Sequence, residues 1–242
     1  MEKEKSVKYD KIVRNALLLL LCAAVGFALR GGARVVSSSR VATGGERKEK
    51  PCVVIDAGHG GADPGKVGVD GSLEKDINLK IAKKLAGFLE AADVEVILTR
   101  ETDAGLYDEN VSNKKVQDMK NRISIIEEAD PMVTVSIHQN SYHEEYVHGA
   151  QVFYYTNSTG GKELAGFLQR RLVEDIDPSN TRVEKENDSY YLLKKTTSPI
   201  VIVECGFLSN REEADALSNK AYQEKVAWAI HLGIIQYIND QS

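Results

Sequence analysis

Four side chains in this 242-residue sequence could do chemistry together: His59, Glu74, His138 and Glu204. His59 sits in the turn Asp56-Ala-Gly-His-Gly-Gly, where the glycines permit backbone angles that other residues resist and leave the imidazole accessible. Glu74 falls just inside a helix predicted to start near Ser72. That helix follows the same loop, so Glu74 can fold back towards His59. His138 ends the run Met132–His138 and is followed by Asn140. Two histidines and a glutamate from separate elements make the usual three-ligand catalytic zinc set, with the fourth position left to water. Zinc lowers the pKa of that water towards about 7. A carboxylate must then take the proton and deliver it to a leaving group. Glu204 is the candidate, because a carboxylate closing the apolar run Ile200–Val203 would be costly to bury unpaired.

Each residue alone has a plainer reading. A histidine among glycines can be a turn residue, Glu74 a helix-start carboxylate favoured by the macrodipole, and His138 a strand-end group. The combination carries the inference. His143 and His148 share one polar, exposed-looking stretch with Glu144 and Glu145, and His231 within the last helix reads as structural. Gly60 to Lys66 matches the GxxxxGK spacing of a phosphate loop. Val67 stands where that loop needs Ser or Thr, Asp63 would repel phosphate, and Pro64 lacks an N–H. A nucleotide is therefore not expected.

The elements that must position these groups alternate in type. Cys52–Asp56, Val94–Thr99, Met132–His138, Ala150–Tyr155 and Ile200–Cys205 read as strands. Leu73/Ile77/Ile81/Leu85/Leu89, Val116/Met119/Ile123/Ile126, Leu164/Phe167/Leu168/Leu172 and Tyr222/Val226/Ile230/Ile234/Tyr237 recur at helical spacing. Near-continuous apolar strands between amphipathic helices predict an α/β fold around a mostly parallel sheet. In such folds ligands gather beyond the carboxyl ends of the strands, which is where His59, His138 and Glu204 fall.

Charge is unevenly spread. Lys and Arg total 31 and Asp and Glu 36. Residues 1–50 hold 11 basic and 5 acidic side chains, and residues 51–242 hold 20 and 31. So acidic a folded part disfavours nucleic acid as a partner. Ala16–Leu29 has no charge and follows Lys3, Lys5, Lys8, Lys11 and Arg14, the pattern of a signal or membrane-anchor segment over residues 1–30. An exported protein is expected, with membrane contact through that segment only. Residues 31–51, rich in Gly, Ser, Arg and Lys, read as a tether, and 52–242 as one folded domain. Three cysteines without CxxC spacing form neither a disulfide scaffold nor a zinc ribbon.

The stretches VVIDAGHGGADPG, LEKDINLKIAKKL, VILTRETD, VTVSIHQNS, GAQVFYY and PIVIVECGFLSNREE resemble the zinc-dependent N-acetylmuramoyl-L-alanine amidases of the amidase 3 family. They are spread over nearly all of residues 52–238. The resemblance implies a phosphorylase/hydrolase-like α/β fold with a roughly six-stranded sheet, and makes 52–242 the zinc amidase catalytic domain. It implies that His59, Glu74 and His138 bind Zn2+ and that Glu204 is catalytic. Asn140, Arg100 and Arg122 fall where the family has Asn or Arg, which implies substrate contact; for Arg122 a plain salt bridge is the competing role. The implied reaction is hydrolysis of the amide between N-acetylmuramic acid and L-alanine in peptidoglycan. A short N-terminal segment, one catalytic domain and no wall-binding repeats resemble the spore-cortex members. That implies preparation of muramic residues for muramic-δ-lactam, the mark read at germination, with an accessory lipoprotein as a possible partner.

Two other functions share these residues. One is a non-catalytic peptidoglycan- or partner-binding module with structural zinc, which would need a fourth protein ligand such as Cys205, His143 or Glu204. The other is a zinc peptidase cutting within the stem peptide. Cys205 should face away from Glu204, since successive strand residues point to opposite sides. Cys52 and Cys205, at opposite ends of parallel strands, should not bridge.

Overall fold

The computed structural model describes residues 50–241, so the signal or anchor segment 1–30 and all but the last two residues of the tether lie outside the described residues. The chain builds six strands: β1 (Cys52–Ala57), β2 (Glu95–Leu98), β3 (Val133–Asn140), β4 (Gln151–Tyr155), β5 (Lys185–Asn187) and β6 (Ile200–Phe207). Between and after them run α1 (Glu74–Ala91), α2 (Lys114–Ala129), α3 (Thr159–Asp175), α4 (Tyr191–Lys195), α5 (Arg211–Ser218) and α6 (Lys220–Asp240). The strands form one sheet in the order β2-β1-β3-β6-β4-β5. β2, β1, β3 and β6 are parallel to one another, while β4 runs antiparallel to β6 and carries β5 parallel to itself. The expected mostly parallel six-stranded α/β sheet is the observed one. Among the described residues no helix is long and apolar enough to cross a membrane.

Alternation along the strands assigns the two faces. Val53 and Ile55 of β1, Val133, Val135 and Ile137 of β3, and Val201, Val203 and Cys205 of β6 belong to one large buried cluster with α1, α3 and α6. Their neighbours Val54, Ile200 and Ile202 join Phe153, Ile126 and Leu193 in a smaller cluster on the other face, beneath α2 and α4. On that second face the pattern changes towards the carboxyl ends of the strands. Asp56 follows Val54, Ser136 and His138 follow Thr134, and Glu204 follows Ile202. The apolar floor thus gives way to a polar end, which α2 and α4 leave uncovered as a cleft.

Three elements escaped the sequence pattern. β5 is three mostly exposed polar residues held only by β4. α4 is five residues long and α5 eight, too short for a helical period to stand out. Cys52 and Cys205 are both free, as expected.

Candidate metal centre

The loop after β1 and the start of α1 form one unit. α1 has Leu73 as its N-cap residue, with no side-chain cap. Instead Glu74 N–H donates to Lys66 O (3.0 Å) and Lys75 N–H to Pro64 O (3.2 Å). Backbone carbonyls of the loop therefore satisfy amides that a helix start leaves orphaned. In return, Glu74 Oε2 accepts from Lys66 N–H at 2.8 Å. The loop curls tightly: His59 itself has φ 62°, an uncommon value for a non-glycine residue. Gly65, at φ +68°, could carry no Cβ, which would stand 2.5 Å from Glu74 Oε2 and 2.8 Å from His59 Cδ2. The phosphate-loop spacing is a coincidence of sequence. Its amides are already bonded, Gly61 N–H to Asp103, Ala62 N–H to Tyr107 and Gly65 N–H to Asp63.

His59, Glu74 and His138 converge. One ligand atom from each lies within 4.8 Å of the others. Glu74 Oε1 is 2.9 Å from His138 Nδ1 and 3.2 Å from His59 Nε2. Ligands about 2.1 Å from one tetrahedral ion stand roughly 3.4 Å apart, so this spacing fits a single small cation. Both imidazoles are held from behind. His59 Nδ1 is 3.0 Å from Asp63 Oδ2, which fixes the tautomer that leaves Nε2 free to coordinate. The Nε2 end of the His138 ring packs directly on Gly58, where an added Cβ would be 2.2 Å from Nε2. Burial would raise the Glu74 carboxyl, but hydrogen bonds from His138 and His59 hold it well below the usual range. The same partnership raises His138 against its own burial.

Glu204 stands next to this triad. It is the register partner of His138 on the adjacent strand and is 7% exposed. Its Oε2 is buried without a protein hydrogen bond. Burial pushes its carboxyl up to about 7, with the Glu74 charge adding to the rise, while His138 and a hydrogen bond from Tyr190 pull against it. Cys205 points to the opposite, apolar face, and burial pushes its thiol far up. His59, His138, Glu204 and Tyr190 line one cleft of about 450 Å³.

The remaining sequence candidates bond mainly to the protein itself. Arg122 borders the cleft but is 2% exposed, and its donors are spent inside the protein. It reaches Asp56 Oδ1 (2.6 Å), Asp118 Oδ2 (2.6 Å), Ala57 O (2.8 Å) and His59 O (2.6 Å). Arg100 is likewise buried and grips Ala57 O (2.9 Å), Gly58 O (3.1 Å) and Lys75 O (2.7 Å). Neither Arg100 nor Asn140 lines the cleft, and Asn140 Oδ1 accepts from Ser141 N–H. These arginines clamp the metal-site loop from below. His143 pairs with Glu144, and His148 lies 3.9 Å from Asp177.

Sequence reasoning missed Asp63 as the support of His59, although its place four residues on was a usable signal. It also missed Tyr190, which sits in a stretch without periodicity, and the buried carboxyl Asp56. Burial would raise Asp56, but Arg122, Ser136 and Thr99 hold it down to about 2.

Two imidazoles at strand ends and a carboxylate at a helix start, beside a carboxyl kept ready to hold or release a proton near neutrality, match the apparatus of a hydrolase that uses a metal ion. The fold and the placement of these groups suit a hydrolytic enzyme whose cleft side chains could hold a metal ion. The chain belongs to the Amidase_3 family, the N-acetylmuramoyl-L-alanine amidases, whose family model matches residues 53–236. It is a peptidoglycan amidase by that membership. The germination-specific N-acetylmuramoyl-L-alanine amidase of Bacillus subtilis is 35% identical over 192 residues, which cover 78% of this chain and 80% of that protein. Among solved structures, the CwlD amidase from Clostridioides difficile, in complex with the GerS lipoprotein, is 42% identical with a TM-score of 0.77, over 79% of this chain and 100% of that one. AmiC2 of Nostoc punctiforme is 34% identical with a TM-score of 0.68, over 78% and 97%.

Proposed function

We propose that this protein is an exported, zinc-dependent amidase that removes stem peptides from spore-cortex glycan, leaving muramic residues free to become muramic-δ-lactam. The observation that carries the reading is Glu204 in register beside His138, with His59 and Glu74 completing the ligand set. Similarity to a germination-specific amidase favours the cortex over the general wall as the site of action. The basic, then apolar, N-terminal sequence favours export. The lipoprotein complex of the CwlD structure favours an accessory lipoprotein as a partner here.

His59, Glu74 and His138 would hold Zn2+. When bound, that ion supplies Lewis-acid polarisation of the scissile carbonyl and acidifies water. The chain's own groups do the rest. Asp63 keeps His59 in its coordinating tautomer. Glu204 accepts a proton from the attacking water as the new C–O bond forms. It then delivers that proton to the alanine nitrogen as the C–N bond breaks. The lactyl carboxylate and a free N-terminal alanine are the products. Tyr190 holds the Glu204 carboxyl in place between these transfers.

Digestion of purified cortex peptidoglycan tests this. New N-terminal L-alanine and peptide-free muramic residues are expected. Cleavage between amino acids of the stem would replace the amidase with a peptidase, and binding without cleavage would leave only a wall-binding module.

A further inference from the structure

The cationic side chains lining the cleft divide into two kinds. Arg122 is consumed beneath the floor, as described. Lys114 and Lys115, the first two residues of α2, line the same cleft and take no part in that clamp. Lys115 has a side chain 75% exposed, with its ammonium 3.8 Å from Asp63 Oδ2, at the outer limit of an ion pair. Lys114 pairs with Glu109 and lies 5.3 Å from the Tyr107 ring centroid. The facing wall, Tyr190, Tyr191, Leu192 and Ile202, is aromatic and aliphatic. A domain with 20 basic and 31 acidic side chains thus sets two adjacent lysines on the rim of its reaction cleft. The N-terminal end of the α2 dipole has the same sign.

Distance favours a substrate role. Asp63 connects His59 Nδ1, at 3.0 Å, to Lys115 Nζ, at 3.8 Å. The ammonium is therefore one imidazole and two contacts away from the coordinating Nε2. Laid end to end that path is at most about 9 Å, which two to three extended residues, at about 3.3–3.6 Å each, span. In a stem peptide the residue after alanine is a glutamate joined through its side chain, and its α-carboxylate is free.

Resting on the amidase reading above, we propose that Lys115, with Lys114 beside it, binds that free carboxylate. The peptide then leaves the cleft along the first turn of α2, and the sugar takes the aromatic wall. Neither lysine touches the reacting atoms; both select and orient the substrate.

The test uses two muropeptides that differ only in carrying a carboxylate or a carboxamide at this position. The zinc-loaded wild type should prefer the carboxylate by roughly three- to tenfold in kcat/KM, chiefly through KM. Lys115→Met, and Lys114→Met with Lys115→Met, should bring the preference towards unity. Lys225→Met, on an exposed part of α6 away from the cleft, controls for net charge and should keep it. Equal use of both substrates by the wild type, or a preference that survives the double substitution, would overturn the proposal. Hydrolysis of neither would instead overturn the amidase reading, and this inference with it.

Discussion

His138 and Glu204 are register partners on neighbouring parallel strands, β3 and β6, with their side chains on the same face of the sheet. The sheet ladder itself thereby sets the spacing between an imidazole that could ligate a metal and the carboxyl proposed to handle the proton. No loop intervenes. Backbone hydrogen bonds hold this pair more rigidly than a surface loop could hold it.

Glu204→Gln keeps the shape and removes the proton carrier. Amide hydrolysis should fall by roughly 10²- to 10⁴-fold, while zinc content, read by metal analysis, stays near that of the wild type. Wild-type rates in the folded, metal-loaded variant would remove Glu204 from the reaction.

The same substitution should show a pH-dependent gain in stability in metal-free protein. The folded carboxyl is raised to about 7 from 4.5. Below about pH 4.5 the group is neutral in both states and costs nothing. Between about pH 4.5 and 7 the unfolded chain ionises this group while the folded one must keep it protonated, so stability falls across that range and levels off above it. The wild type should therefore lose about 3 kcal/mol relative to the glutamine variant between pH 4.5 and 8. Denaturant midpoints across that range would reveal it, and parallel curves would contradict the assigned environment.

Asp63→Asn removes the charge that orients His59. Zinc affinity should drop roughly 10- to 100-fold, by competition with a chelator, as for other supports of metal-bound histidines. An unchanged affinity would show that His59 needs no such partner.

Gly58 and Gly87 make a matched pair. Gly58→Ala would push a Cβ to 2.2 Å from His138 Nε2, whereas Gly87 of α1 has nothing within 4 Å. The first change should abolish zinc binding and activity. The second should stabilise the helix by roughly 0.5–1 kcal/mol with activity intact.

Arg122→Met leaves Asp56 buried without its charge partner, held only by Ser136 and Thr99, and frees the His59 carbonyl. Loss of a buried partner of this kind costs about 3–5 kcal/mol. That is a fall of roughly 10 °C in Tm for a domain of this size. Joint replacement of Asp56 and Arg122 by apolar residues should recover part of the loss; additive losses would deny the pair its coupling.

The site was legible because its parts sit where strands end. Glu204 after Ile200–Val203 and His138 after the β3 run stood out as polar groups on apolar strands, and the glycines around His59 marked a tight turn. What was not legible shares one cause, dependence on contacts distant in sequence. Arg100 and Arg122 are singled out by family resemblance alone, and no local pattern shows their 42- and 65-residue reaches to Gly58 O and Ala57 O. Tyr190 meets Glu204 only once β5 and α4 have turned the chain back. The reversed direction of β4 was equally hidden, since alternation reads the same in either sense.

The mutual grip of Lys66 and Glu74 ties the loop to any ion that His59, Glu74 and His138 would hold. One oxygen of Glu74 belongs to the ligand set and the other tethers the loop whose carbonyls start α1. Emptying the pocket should therefore loosen a knot rather than a single bond, and the amides of residues 66, 74 and 75 would exchange with solvent together, a built-in gauge of occupancy.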